Sequence, residues 1–302
     1  MKIKKITKLS CIIILIGLLF IGLGYMTNQS FSFESSNKLN ITKTNEYKIV
    51  KDIKELEEFK SINIEVGITN IEIIPSEKYK IELQYKEDYG KINYKVKNNS
   101  LIINQESKIR NLNNKSNFNK DDLNFIKIYI PSDKSFEKFS ITSDIGNIDI
   151  RQMNLNNLDL SCDVGNIKIN NCEINDSKIS NDTGNIEINK SKFKNLEANL
   201  NLGNINSKNI NVKNLLNSKN DLGNIDISGK VYGDIEVNCD LGNIDIEIDE
   251  KEKNYNYRLI CALGKIDING KRKNKDVSLE NNSDNNLNIE CDSGNIKLKF
   301  KK

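Results

Sequence analysis

Side chains able to do chemistry recur in this chain at a fixed beat. Two places before the glycines Gly146, Gly165, Gly184, Gly203, Gly223, Gly242, Gly264 and Gly294 stand Asp144, Asp163, Asp182, Asn201, Asp221, Asp240, Ala262 and Asp292. Such a column admits three chemistries: turn-closing carboxylates, a weak cation-binding face, or paired carboxylates for cleaving an acidic glycan. Stacking would bring like charges close together, which is unfavourable unless water, Lys or a cation intervenes. A calcium face is the tempting inference, but the nonapeptide of calcium β-rolls carries more glycines at a shorter period. Turn-forming Asp on a solvated edge is therefore preferred. No copy differs from its neighbours as an active site would.

Three places before the same glycines stand Ser143, Cys162, Asn181, Leu200, Asn220, Cys239, Cys261 and Cys291. By alternation this is an inward column of small residues, with Cys239, Cys261 and Cys291 on neighbouring rungs about 4.8 Å apart. Buried free thiols acting as small hydrophobes are the preferred reading. A disulfide between adjacent rungs is the alternative in an exported protein, and a catalytic thiolate would have no histidine to activate it. Cys11 and Cys172 complete the six cysteines, and no pair has the CxxC spacing of a zinc or redox site. Histidine and tryptophan are absent, which excludes Ser-His-Asp and Cys-His machinery. No catalytic, cofactor-binding or metal-ligating residue is assigned.

The elements that position these columns follow from the spacing. The glycines lie 19, 19, 19, 20, 19, 22 and 30 residues apart, the mark of stacked structural repeats. Two places after each glycine stands an isoleucine: Ile148, Ile167, Ile186, Ile205, Ile225, Ile244, Ile266 and Ile296. Four places after stand Ile150, Ile169, Ile188, Ser207, Ile227, Ile246, Ile268 and Leu298, so a short strand with one inward face follows each turn. Mostly apolar pairs such as Leu158/Leu160 and Ile235/Val237 give a second strand before it. Two strands cannot bury their apolar faces alone, so the units are expected to stack into a β-solenoid of about 19-residue rungs. Within Asp-x-Gly-Asn, glycine permits the turn and Asn can ladder from rung to rung.

Ahead of the repeats, alternation predicts strands at 62–66, 71–74, 79–85, 92–96, 101–103 and 125–130, with a helical turn or two at 52–59 and a surface loop at 111–122. Residues 66–73 read as a degenerate copy of the repeat. The late spacings imply loops at 249–254 and 269–276, the second carrying Lys271, Arg272, Lys273 and Lys275. That basic run reads as a solvated loop, or as a contact for an anionic polymer or membrane surface. The charges of 297–302 would protect the open end of the stack from edge-to-edge growth.

At the N-terminus a basic lead, residues 1–8, precedes an apolar segment at 9–26, read as a signal anchor in preference to a cleaved signal peptide. A polar linker at 27–45, a β-rich part of the solenoid body at 46–140 and the repeat solenoid at 141–302 complete the division. The chain would then be a single-pass protein of the cell membrane, with residues 27–302 outside. The four leading lysines exceed the net charge of +3, leaving residues 27–302 at −1, which gives no footprint for nucleic acid.

Ile64-Glu-Val-Gly67 with Ile71-Glu-Ile-Ile-Pro75-Ser76, Ile126-Lys-Ile-Tyr-Ile-Pro131, and Ser143-Asp-Ile-Gly-Asn-Ile-Asp-Ile150 with its copies resemble the putative-adhesin family of bacterial proteins, a domain of unknown function. The resemblance covers about residues 46–302 and implies an all-β repeat fold, a surface location and binding, with no family catalytic residues to carry over. The expected function is a non-catalytic, outward-facing structural or adhesin-like module of the cell envelope, with an envelope polymer or surface protein as partner. The alternatives are a calcium-dependent polysaccharide-active β-helix and an accessory protein of envelope-stress signalling. Oligomeric state is not fixed by the sequence.

Overall fold

One interior coil shows how the 19-residue period becomes structure. Asn154–Val164 runs extended to the Gly165 turn, Ile167–Asn170 follows, and the chain turns again at Asn171 before Glu173–Thr183 opens the next coil. Each coil pairs in parallel register with the coils on either side, so Ile148, Ile167, Ile186, Ile205, Ile225 and Ile244 form one buried column. Fully burying such a side chain is worth about 1.5–3 kcal/mol. The computed structural model describes residues 48–106 and 124–301, which fall in one unit, Tyr47–Lys302. The expected anchor at 9–26, the linker, the loop at 111–122 and Cys11 lie outside the described residues.

The coil has three sides, not two. In Asn154–Val164 the in-out alternation breaks at Asn156 and Asn157, both outward, and the chain bends there. The two residues before the bend make a short third face, whose buried column is Leu155, Ile174, Phe193, Val212 and Val231. A corner leads into that face at Gln152, Asn171, Lys190 and Asn209, all held at φ between 49° and 55°. A left-handed residue every 19 positions reverses the chain without glycine, at some cost in strain. Beneath it Met153, Cys172, Ser191 and Ile210 are buried.

At both ends the coils leave chain order. Asn286–Ser293 lies between Asp234–Leu241 and Asn256–Leu263, and Ile296–Phe300 lies between Ile244–Ile248 and Ile266–Ile268. The Gly294 coil is thus threaded inside the Gly264 coil, which accounts for the 30-residue spacing. The N-terminal end mirrors this arrangement. Ser61–Ile68 and Asn70–Ser76 lie between the Gly146 coil and an outer coil made of Ser100–Gln105 and Phe125–Pro131. Antiparallel strands then cap both ends: Lys271–Lys273 and Asp276–Leu279 at one, Ile92–Lys97 and Lys80–Lys86 at the other.

Three expectations change accordingly. Residues 52–55 are strand, within Ile49–Glu55, which pairs with Lys80–Lys86 at the edge of the stack. The basic run at 269–276 belongs to the capping hairpin; Lys271, Arg272 and Lys273 are its exposed edge. Lys297 and Lys299 sit on an interior strand, so the antiparallel caps, not that strand, shield the open end from edge growth. The six strands expected between 62 and 130 are present, and the degenerate copy at 66–73 is a true rung.

Candidate functional site

The edge of the stack carrying the Asp-x-Gly-Asn turns concentrates the chain's repeated chemistry. Each turn presses on the one below: a methyl group on Gly203, which sits at φ +137°, would land on the Gly184 carbonyl oxygen. Beside the glycines runs the expected ladder. Asn70, Asn147, Asn166, Asn185, Asn204, Asn224, Asn243 and Asn295 follow one another, each side-chain oxygen accepting the backbone N–H of the next at 2.8–3.0 Å. The terminal coil has Lys265 at this position, and the ladder stops there.

The inward column three places before glycine has a task the sequence did not reveal. Asn181 and Asn220 donate to the carbonyls of Gly165 and Gly203, both at 2.9 Å. Cys162, Cys239, Cys291 and Cys261 direct their thiols at the carbonyls of Gly146, Gly223, Gly242 and Gly294, at 3.2–3.4 Å. Cysteine and asparagine interchange because each is a small donor to the preceding turn, so these thiols do more than fill apolar space. All five described cysteines are free and buried. The stacking order is Cys239, Cys291, Cys261, and Cys172 stands apart at the left-handed corner. Burial first, then the neighbouring Asp163, pushes the Cys162 thiol up to about 11, and burial does the same for Cys172, so both are protonated at neutral pH.

The Asp column is exposed, as expected of a solvated edge. Beside it stands a column that alternation alone would have turned inward. The residue before each glycine is Ile145, Val164, Thr183, Leu202, Leu222, Leu241, Ser293 and Leu263 in stacking order. Its apolar members are 46–67% exposed. The chain turns the corner at this point, so the residues two and one before glycine both face out. The signal was present in the sequence as an apolar residue between Asp and Gly, but only the corner says which way it points.

Electrostatics set this edge apart. On the face after the turn several charges meet opposite charges across rungs, Lys168 with Glu187 at 3.2 Å, Lys297 with Asp245 at 2.6 Å and Arg151 with Glu72, and Arg151 also pairs with Asp149 on its own strand. Among the described residues no ion pair involves Asp144, Asp163, Asp182, Asp221, Asp240 or Asp292. Asp182 accepts a 3.0 Å hydrogen bond from Asn201. Burial, then the charges of Asp221 and Asp292, raise the pKa of Asp240. Nearby, a shallow depression of about 570 Å³ carries Glu236, Glu290, Asp240 and Asp292 around Arg258, extending the acidic flank. In the terminal coil Ala262 replaces the acid, and Lys275 donates to the Ala262 carbonyl at 2.9 Å. No group of three or more Cys, Asp or Glu side chains among the described residues is arranged to hold a metal ion.

The Toastrack DUF4097 family model matches residues 59–299, and the chain belongs to that family. Similar solved structures include a putative cell adhesion protein from Clostridium sporogenes, 17% identical over 84% of this chain and 100% of that one, with a TM-score of 0.31. Others are a putative adhesin from Bacteroides fragilis, 17% identical over 84% and 97% with a TM-score of 0.41, and a putative lipid binding protein from Parabacteroides distasonis, 14% identical over 85% and 98% with a TM-score of 0.33. No curated protein shows significant similarity to the chain.

Proposed function

We propose that this chain is a membrane-anchored, outward-facing, non-catalytic β-solenoid that serves the cell envelope as a structural or adhesin-like interaction module. The observation that carries the reading is the rung-to-rung repetition of outward side chains. Register is kept from Ile145 through Val164, Leu202, Leu222 and Leu241, so the molecule presents straight arrays of like groups. An array suits a long partner, because each rung adds the same small contribution. Parallel pairing on three sides, with both ends capped, gives the array a stiff support.

The membrane part of the reading rests on the basic residues 1–8 followed by the apolar segment 9–26, which together favour an anchor with the body outside. Protease treatment of intact cells tests it. Fragments from residues 47–302 are expected in the supernatant while a cytoplasmic marker stays whole. A repeat region that survives on intact cells, yet is cut after lysis, would overturn the location.

A further inference from the structure

We propose that the turn ridge binds a basic amphipathic helix of a partner protein, with the helix lying along the stack and its apolar stripe on the Ile145–Leu263 column. The inference deepens the interaction-module reading and rests on it for the ridge meeting partners outside the cell. Exposed apolar side chains in one continuous row are uncommon on a monomer surface and mark places where something docks. Here the row runs through Ile145, Val164, Leu202, Leu222, Leu241 and Leu263, relieved only by Thr183 and Ser293.

Charge selects the occupant. The row is flanked along its length by Asp144, Asp163, Asp182, Asp221, Asp240 and Asp292, none of them in an ion pair among the described residues, whereas on the neighbouring face Lys168 pairs with Glu187 and Lys297 with Asp245 across rungs. A second copy of this chain would set one Asp column against another, and an anionic lipid surface would be repelled. A cationic partner meets complementary charge.

Spacing selects its form. Rungs repeat at about 4.8 Å, while an extended strand repeats its same-face side chains at about 6.7 Å. A helix presents its stripe once per turn, about 5.4 Å, the closer match. From Ile145 to Leu263 the ridge spans seven rung steps, about 34 Å, the length of roughly 22 helical residues. The acidic column ends at Ala262, where Lys275 stands, so the basic face of the helix is engaged by the rungs from Asp144 to Asp292.

The test uses the full chain in phosphatidylcholine nanodiscs, with empty nanodiscs as baseline. Fluorescence anisotropy follows a labelled 21-residue peptide with leucine on one helical face and lysine on the other. Its charge-identical scrambled isomer and a glutamate-for-lysine version serve as comparisons. The amphipathic lysine peptide is expected to bind at least tenfold more tightly than either. Two triple variants are expected to weaken it at least tenfold: L202S/L222S/L241S, and D163N/D221N/D240N. Thr183, Ser293 and Asn201 already occupy these columns with such polar groups, and thermal melts check that the variants fold. Equal binding of the scrambled peptide, parent-like binding by both variants, or no peptide binding overturns the proposal. So does parent self-association on sedimentation that the L202S/L222S/L241S variant loses, which would make a second copy the occupant. A failure here leaves surface exposure standing, and a failure of the protease test leaves the binding result standing.

Discussion

Between Gly146 and Gly242 the stack is built by one rule, and at its two ends by another. In the middle each coil follows its predecessor in chain order, and isoleucine layers repeat with one exception, the buried Ser207. At the ends chain order is broken, antiparallel strands close the edges, and clusters of aromatic side chains join the aliphatic layers. Phe59 lies 5.0 Å from Tyr79 and 6.3 Å from Phe136, which in turn lies 5.3 Å from Phe139. Phe300 lies 5.4 Å from Tyr255 and 6.1 Å from Tyr257 at the other end. A repeating layer fits only another layer like itself, so each end needs bulk of a different shape where the stack stops. Each end also clamps a terminal rung inside an outer coil, which hinders the peeling that an open repeat array would suffer.

Substitutions can break this contrast, beginning with the turn glycines. Gly203→Ala in the middle would drive a methyl group into the Gly184 carbonyl from a positive φ and is expected to cost about 3 kcal/mol or more. Gly270→Ala in the end hairpin, at φ +78° with open space around it, is expected to cost about 1 kcal/mol. Urea denaturation of the two variants measures the difference. If they cost the same, close stacking is not what holds the middle together.

The Asn ladder sharpens the comparison at a smaller scale. Asn204→Ala strands the backbone N–H of Asn224 and gives up the side-chain bond to Asn185, while the backbone N–H at 204 still donates to Asn185, an expected loss of about 1–2 kcal/mol. Asn295 closes the ladder, and Asn295→Ala is expected to cost about half as much in the same assay. The Asp column should give the smallest effect. A raised carboxyl pKa means the native state holds its proton more readily than the unfolded chain. The cost of Asp240 is therefore fully present above its folded pKa and fades as pH falls through it. Asp240→Asn is expected to raise Tm by roughly 1 °C at pH 7 and to leave it unchanged at pH 3. A Tm that drops at pH 7 would mean that Asp240 serves the turn more than it strains the column.

Much of the middle is legible in the amino-acid sequence. The glycine period, the two isoleucine columns and the Asn ladder are properties of single positions repeated many times, and repetition suppresses local ambiguity. Legibility fails where one departure from alternation matters. Polar pairs such as Asn156-Asn157 mark the bend that makes the third face, but polar pairs are common and nothing distinguishes these. The same ambiguity hides the ridge: Leu222 and Leu241 look like ordinary strand residues until the corner turns them out. Cys162 and Asn181 look like space-fillers, because a donor's purpose shows only when its acceptor, the carbonyl of the turn below, is in place.

The sequence by itself determined that the chain folds as stacked rungs, where each turn lies and which side chains share a column, because a fixed period leaves parallel in-register stacking as the way to bury every apolar stripe at once. Tertiary structure decided the order of the rungs at the ends, the capping strands and the outward face of the ridge. Rungs with matching columns are nearly interchangeable as stacking partners, so local sequence cannot rank them. The order is settled by what closes an edge and fills an end, which depends on segments far apart in the chain.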